Sequence, residues 1–207
     1  MPKRRAQSRE GSIDLGRGCW AQLIAGFVED HDGLMDALVG SLPLRQEPIT
    51  MFGKTHLTPR LTSWHGDEGC AYRYSRRSFE PAPWTPALAR LRARLVESTG
   101  YAFNSVLANY YRDGADAMGA HADDEPELGP SRDDVGIASV SLGARRRFLL
   151  RPKDGGETVE FALGEGDLLV MGGRTQAHFK HWVPRTKKPV GPRMNLTFRV
   201  VAQPPPK

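Results

Sequence analysis

The sequence is poor in cysteine. Cys19 and Cys70 are the only two, they stand apart, and neither belongs to a metal-type spacing. A disulfide framework and a cysteine metal cluster are therefore excluded, and a reducing cytoplasm is the expected compartment. Long apolar runs are missing as well. None approaches the roughly 20 residues that span a bilayer, so no membrane role is expected. The start, MPKRRAQSRE, is basic but has no apolar region behind it, and a secretory leader is not expected. No repeat is visible. Low complexity is confined to the ends, with loose tails expected over 1–12 and in the Pro-rich stretch 202–207. Nor is there a surplus of acid: the net charge is +5 and the pI about 9.4. That balance leaves an anionic partner open without requiring one.

Turn formers, by contrast, are plentiful. The 207 residues include 22 glycines and 16 prolines, above the usual levels of about 7% and 5%, which points to a β-rich chain. Two helices are expected. DHDGLMDALVGSLP has Asp caps, then Leu34, Leu38 and Leu42 at helical spacing, and Pro43 to end it. TPALARLRARLVESTG has Thr85 to cap, Pro86 for the first turn, a stripe of Leu88, Leu91 and Leu95, and Gly100 to stop it.

Between these helices, ITMFGKTHLTPRLTSWHGDEGCAYRYS mixes β-type residues with Gly and Pro, as hairpins do. After Gly100 come short strands: FNSVLANYY, GIASVSL, RRFLLR, ETVEFAL, DLLVMG, HFKHWV and RMNLTFRVV. Their regular spacing suggests a sandwich or barrel. Residues 13–201 are read as one domain, because the part before 100 lacks the apolar pattern to stand alone.

Side chains alternate faces along a strand. In RMNLTFRVV, Met194, Leu196 and Phe198 share one face, while Arg193, Asn195, Thr197 and Arg199 share the other. The polar face is either a solvated exterior or a polar interior, and buried arginines need anions. Arg193 and Arg199 stand about 20 Å apart on a straight strand, too far for one small anion but suited to two ends of a larger one. Asn109 and Tyr111 share a face in the same way.

AMGAHADDEPELG gathers acids around one histidine in a basic chain. His121 and Asp123 are two apart, so in an extended segment both reach one ion. HxD alone is common in surface loops. In HFKHWV, His181 shares a face with Phe179 and Val183, the usual setting of a core histidine, and 60 positions after His121 it is also a candidate third ligand. Two histidines and a carboxylate on one face of an ion belong to non-haem Fe(II) oxygenases, and zinc accepts the same donors.

Taken together, NSVLANYYRDGADAMGAHADDEPELG, IASVSLGARRRFLLR, GDLLVMGGRTQAHFKHWVP and PRMNLTFR resemble the AlkB family of Fe(II)- and 2-oxoglutarate-dependent nucleic-acid dealkylases. PRLTSWHGDEGCAYRYS and PWTPALARL extend the likeness, which runs from about 47 to 201. The resemblance implies an α+β, mainly β fold: a double-stranded β-helix, or jelly roll, with supporting N-terminal helices. Residues 47–90 would form a nucleotide-recognition region and 101–201 the catalytic barrel.

The resemblance also implies roles. His121, Asp123 and His181 are the expected Fe(II) ligands. Asn109, Tyr111, Arg193, Asn195 and Arg199 are expected to hold 2-oxoglutarate, Arg193 at the distal carboxylate and Arg199 nearer the metal. The implied reaction uses O2, turns 2-oxoglutarate into succinate and CO2, and removes an N-alkyl group as formaldehyde from bases such as 1-methyladenine and 3-methylcytosine. Asp124 and Glu125 are then expected to accept hydrogen bonds from the base's exocyclic amine, unless they only orient their loop. Tyr74 matches the position that stacks on the base, and Tyr72 lines the same pocket, although ordinary strand packing is the plain alternative.

Phe52, followed by Gly53 in MFGKTH, matches an aromatic that fills the gap left by a flipped base in members that repair duplexes. The basic stretches RTKKPVGPR and Arg145–Arg147 would meet phosphates, or merely solvent. Ala120 and Trp182 depart from common family residues and alter the pocket's shape. The expected partner is DNA, duplex as well as single-stranded, bound by a monomer. RNA dealkylation is the near alternative, and a 2-oxoglutarate hydroxylase of proteins or small molecules the more distant one.

Overall fold

The computed structural model describes residues 4–5, 11–51, 54–70, 72–74, 77–125, 128 and 134–202. In chain order the strands are β1 (Arg4–Arg5), β2 (Gly11–Gly16), β3 (Cys19–Ile24), β4 (Pro48–Met51), β5 (Lys54–Leu57), β6 (Leu61–Gly66), β7 (Tyr72–Tyr74) and β8 (Arg77–Phe79). They continue with β9 (Ser105–Tyr111), β10 (Met118–His121), β11 (Ile137–Gly143), β12 (Arg146–Pro152), β13 (Val159–Leu163), β14 (Asp167–Gly173), β15 (Phe179–Val183) and β16 (Arg193–Arg199). The helices are α1 (His31–Ser41), α2 (Pro86–Thr99) and the short α3 (Thr175–His178).

Both expected helices form with the expected ends. Asp30 caps α1 by accepting from the Gly33 N–H, and Thr85 caps α2 by accepting from the Leu88 N–H. Gly100 ends α2 with φ 77°, in the left-handed region that glycine enters freely. Leu88, Leu91 and Leu95 are buried as one stripe.

The strands build two facing sheets. One has seven strands in the order β2-β3-β14-β11-β16-β9-β6, and the other has five in the order β1-β13-β12-β15-β10. This is the jelly-roll barrel. β4–β5 and β7–β8 are separate hairpins. Within the stretch read as a basic tail, the Arg4–Arg5 backbone pairs in parallel with β13, and Gly11 opens β2. β3 alternates buried and half-buried residues along CWAQLI, a strand pattern ahead of α1 that the sequence reading did not pick out.

Two large cores and a small cluster of Cys70, Leu128 and Val201 result. Met194, Leu196 and Phe198 join Leu38, Leu88 and Leu95 in a layer between the large sheet and the helices. Ile137, Leu150, Phe161, Leu169 and Met171 fill one part of the space between the sheets. All seven residues of β16 are buried, so its polar face lies inside the barrel rather than in solvent. Among the described residues no helix is long and apolar enough to cross a membrane.

Candidate active site

β10 and β15 run antiparallel with His121 directly opposite His181. Directly paired side chains stand on the same side of a sheet, and the two rings lie 4.3 Å apart, centroid to centroid. One step away, Met118 pairs with Val183, so Gly119 and Ala120 together oppose the single residue Trp182. Such a bulge twists its strand and re-aims the side chain that follows.

Asp123 follows two residues after His121. Its backbone N–H donates to Gln176 Oε1 at 3.0 Å, and Gln176 is buried in α3. One donor atom from each of His121, Asp123 and His181 lies within 4.8 Å of the others, a grouping able to hold a metal ion. Its detail suits a cation. The His121 Nε2 is 3.9 Å from Asp123 Oδ1, and the His181 Nε2 is 3.8 Å from Asp123 Oδ2. Asp123 Oδ2 is buried with no hydrogen-bond partner among the described residues. Assigning the His121 Nδ1 proton toward Gly119 O, at 2.9 Å, leaves the Nε2 lone pair facing Asp123.

Burial drives the His181 pKa down to about 3, with His121 adding to the effect, so its imidazole is a neutral donor at pH 7. Burial works to raise the Asp123 carboxyl, but Arg199, then His181 and His121, outweigh it and hold the group below the usual carboxylate range. Arg199 donates to Asp123 Oδ1 at 2.6 Å.

A buried polar cluster adjoins this triad between the sheets. Register places Asn195 opposite Asn109 and Arg193 opposite Tyr111. Arg193 is 1% exposed, and its Nη2 donates to Ser141 Oγ at 2.8 Å. Its Nε and Nη1 have no partner among the described residues. A guanidinium so buried calls for an anion, and a carboxylate matches its fork. Asn195 donates to Ser139 Oγ at 2.7 Å and accepts from Thr197 Oγ1 at 2.9 Å. Asn109 Oδ1 accepts from Arg60 Nε at 2.7 Å. The five residues expected around 2-oxoglutarate thus share one interior face. The sequence reading missed Arg60, Ser139, Ser141 and Gln176; the serines alternate with apolar residues along IASVSL, which was the available signal.

A cleft of about 1320 Å³ opens beside the triad, with His121, Asp123 and Arg199 in its wall. Arg60, Trp64, Ala120, Glu125, Trp182 and Arg185 also line it. Of the two acids after Asp123, only Glu125 lines the cleft. Asp124 is half exposed and forms an ion pair with Lys153 at 2.6 Å. Phe52 and the side chains of Tyr72 and Tyr74 lie outside the described residues.

The run Arg145–Arg147 is not a free basic patch. Arg145 pairs with Glu165 and Asp167, Arg147 pairs with Glu160, and the buried Arg146 donates to the carbonyls of Asp113, Asp116 and Pro184. Local strand and turn partners take up these charges, a detail that sequence cannot display. Arg185, Lys187 and Lys188 are exposed.

A jelly roll with two histidines and one carboxylate at its mouth defines a class of metal-dependent oxygenases, and the 2OG-Fe(II) oxygenase superfamily matches residues 21–199. The chain is 44% identical over 161 residues to the mouse (Mus musculus) DNA oxidative demethylase ALKBH2, an overlap covering 74% of this chain and 66% of that protein. It is 39% identical over 219 residues to the mouse alpha-ketoglutarate-dependent dioxygenase alkB homolog 3, covering 97% of this chain and 74% of that one. The solved structure of OsALKBH1 shares the fold with a TM-score of 0.63 at 18% identity, over 90% of this chain and 100% of that one. The chain belongs to the AlkB family of the 2OG-Fe(II) oxygenase superfamily, and it is an Fe(II)- and 2-oxoglutarate-dependent dioxygenase.

Proposed function

We propose that the chain is an oxidative dealkylase that repairs N-alkylated bases in DNA. The observation that carries this reading is the cleft itself: His121 and Asp123 of the triad line a space that arginines and two tryptophan rings also line, as an anionic strand with an extruded base requires. The mouse relative named as a DNA oxidative demethylase, 44% identical, supports it.

In this reading His121, Asp123 and His181 hold Fe(II). Arg193 takes the distal carboxylate of 2-oxoglutarate, with Tyr111, Asn109 and Asn195 around it, and Arg199 stands nearer the metal. Bound Fe(II) with 2-oxoglutarate and O2 supplies the oxidation of the N-alkyl carbon, with succinate and CO2 as co-products, and the hydroxymethyl product falls apart to formaldehyde and the plain base. Glu125, which lines the cleft, is proposed to accept from the exocyclic amine of a cationic base and to favour its charge. Asp124, paired with Lys153, acts on that loop. Tyr74 is proposed to stack on the base, Tyr72 to line the same pocket, and Arg185, Lys187 and Lys188 to meet phosphates.

Duplex DNA is the proposed substrate beside single strands, with Phe52 between the paired residues Met51 and Lys54 of the β4–β5 hairpin. A monomer is proposed to suffice. The test incubates the Fe(II)-loaded protein with 2-oxoglutarate and 1-methyladenine in single-stranded DNA, duplex DNA, RNA or free nucleoside, and measures formaldehyde and repaired base. Turnover on both DNA forms is expected. Turnover confined to RNA, or absent on every nucleic acid, would overturn the reading.

A further inference from the structure

One side chain, Arg60, links the open cleft to the buried polar cluster. Arg60 lies just ahead of β6 and lines the cleft, whereas Asn109 is 1% exposed on the interior face shared with Tyr111 and stands opposite Asn195. Arg60 Nε donates to Asn109 Oδ1 at 2.7 Å, and its Nη1 reaches Ala117 O at 3.4 Å. The backbone that carries Arg60 is fixed. Its N–H donates to Thr58 O at 2.8 Å, its carbonyl accepts from the buried Thr58 hydroxyl at 3.1 Å, and the Ala117 N–H donates to Pro59 O at 2.8 Å.

A guanidinium has donors and no acceptor. The Asn109 atom that meets it must therefore be the oxygen, which removes the two-fold choice that an asparagine amide otherwise has. The Asn109 NH2 is turned away from Arg60. Its one hydrogen bond among the described residues is a long one, 3.5 Å to Leu107 O, so it keeps donor capacity. A cation on the oxygen also polarises the amide and strengthens what its N–H groups donate. With Arg60 gone, the amide is free to rotate and set its oxygen against a carboxylate, acceptor to acceptor.

We propose that Arg60 is a positioning residue for 2-oxoglutarate. By holding Oδ1 of Asn109 it aims the Asn109 NH2 at a co-substrate carboxylate. The proposal rests on the reading that Asn109 faces 2-oxoglutarate.

The test titrates 2-oxoglutarate into the anaerobic, Fe(II)-loaded protein by calorimetry, with no nucleic acid present, so that binding rather than turnover is read. Arg60→Ala is expected to weaken binding roughly tenfold, the effect of losing one charge-assisted, orienting hydrogen bond. Arg60→Met, which keeps the aliphatic stem and removes the donors, guards against a variant that fails to fold; it should weaken binding alike with an unchanged melting temperature. The decisive comparison uses Asn109→Ala. If Arg60 acts through Asn109, adding Arg60→Met to Asn109→Ala leaves the affinity at the level of Asn109→Ala alone. Additive losses, or an unchanged affinity in Arg60→Met while Asn109→Ala binds weakly, would overturn the proposal. Unchanged affinity in Asn109→Ala would instead remove the underlying assignment of Asn109.

Discussion

Arg199 and Asp123 form an ion pair of 2.6 Å in which the two side chains are only 5% and 3% exposed. The same aspartate lies within 4 Å of both histidine Nε2 atoms, at 3.9 and 3.8 Å. Arg199 therefore serves the triad as well as any anion placed beside it. Removing one partner of a buried pair leaves the other charge uncompensated, at a cost of about 3–5 kcal/mol. Arg199→Ala is expected to lower the unfolding free energy of the metal-free protein by that amount in urea titration and to raise the 2-oxoglutarate requirement steeply. Arg199→Lys should recover part of the stability but little of the co-substrate affinity, since an ammonium lacks the planar fork. Wild-type 2-oxoglutarate dependence in both variants would remove Arg199 from the co-substrate site.

Arg193 gives the opposite expectation for stability. Its Nε and Nη1 are buried without a partner among the described residues, and burial pushes its pKa down while Tyr111 pushes back. Replacing a poorly compensated buried charge by an apolar side chain of similar length is often neutral or stabilising, by about 1–4 kcal/mol. Arg193→Met should thus melt no lower than wild type without co-substrate, yet show no measurable rise in melting temperature when 2-oxoglutarate is added. A co-substrate-induced rise of wild-type size in the variant would contradict the role given to Arg193.

Periodicity made legible which residues of this site share a face, while their roles rested on the family resemblance. Asn109 with Tyr111, and Arg193 with Asn195 and Arg199, are set two apart or multiples of two, so a strand assignment alone puts each set on one face. The caps of α2 were legible because Thr85, Pro86 and Gly100 each act locally. Whether the polar face of β16 looked inward was not legible, since that depends on the second sheet laid across it. The same holds for Arg145–Arg147, whose partners arrive from β13, from the start of β14 and the residues before it, from the Asp113–Asp116 loop and from Pro184 after β15, and for Gln176, which meets Asp123 across 53 positions. Short strands near the start, such as β3, were not legible because apolar and polar residues do not alternate along CWAQLI.

The triad makes stability depend on pH. The His181 imidazole titrates at about 3 in the folded chain against 6.5 ordinarily, chiefly because it is buried. The unfolded chain therefore binds a proton that the folded chain refuses between those values, and stability from this group falls as pH drops through that window. Asp123, held below its usual range, contributes in the same direction at lower pH still. The metal-free protein should lose melting temperature below about pH 6.5, and His181→Asn, which cannot titrate, should lose less over the same span. Identical pH profiles for the two proteins would show that His181 is not held neutral by burial.

Which nucleic acid is used turns on the segment MFGKTH. β4 and β5 pair from Pro48 with Leu57 to Met51 with Lys54, which fixes the register on either side of Phe52 and Gly53. Glycine permits the tight connection that two residues must make between paired strands. Extruding a base from a duplex loses stacking worth a few kcal/mol, and an inserted ring recovers part of it, whereas a single strand leaves no such gap. Phe52→Ala should therefore slow repair of methylated duplex by roughly fivefold to a hundredfold, the effect of losing about 1–3 kcal/mol of stacking, and leave single-strand repair near wild type. Phenylalanine is also a common core residue. A core role would lower the melting temperature and reduce both rates together, so the melting curve is recorded beside the two rates. A selective duplex defect at an unchanged melting temperature identifies Phe52 as the residue that fills the gap, and equal losses on both substrates remove it from that role.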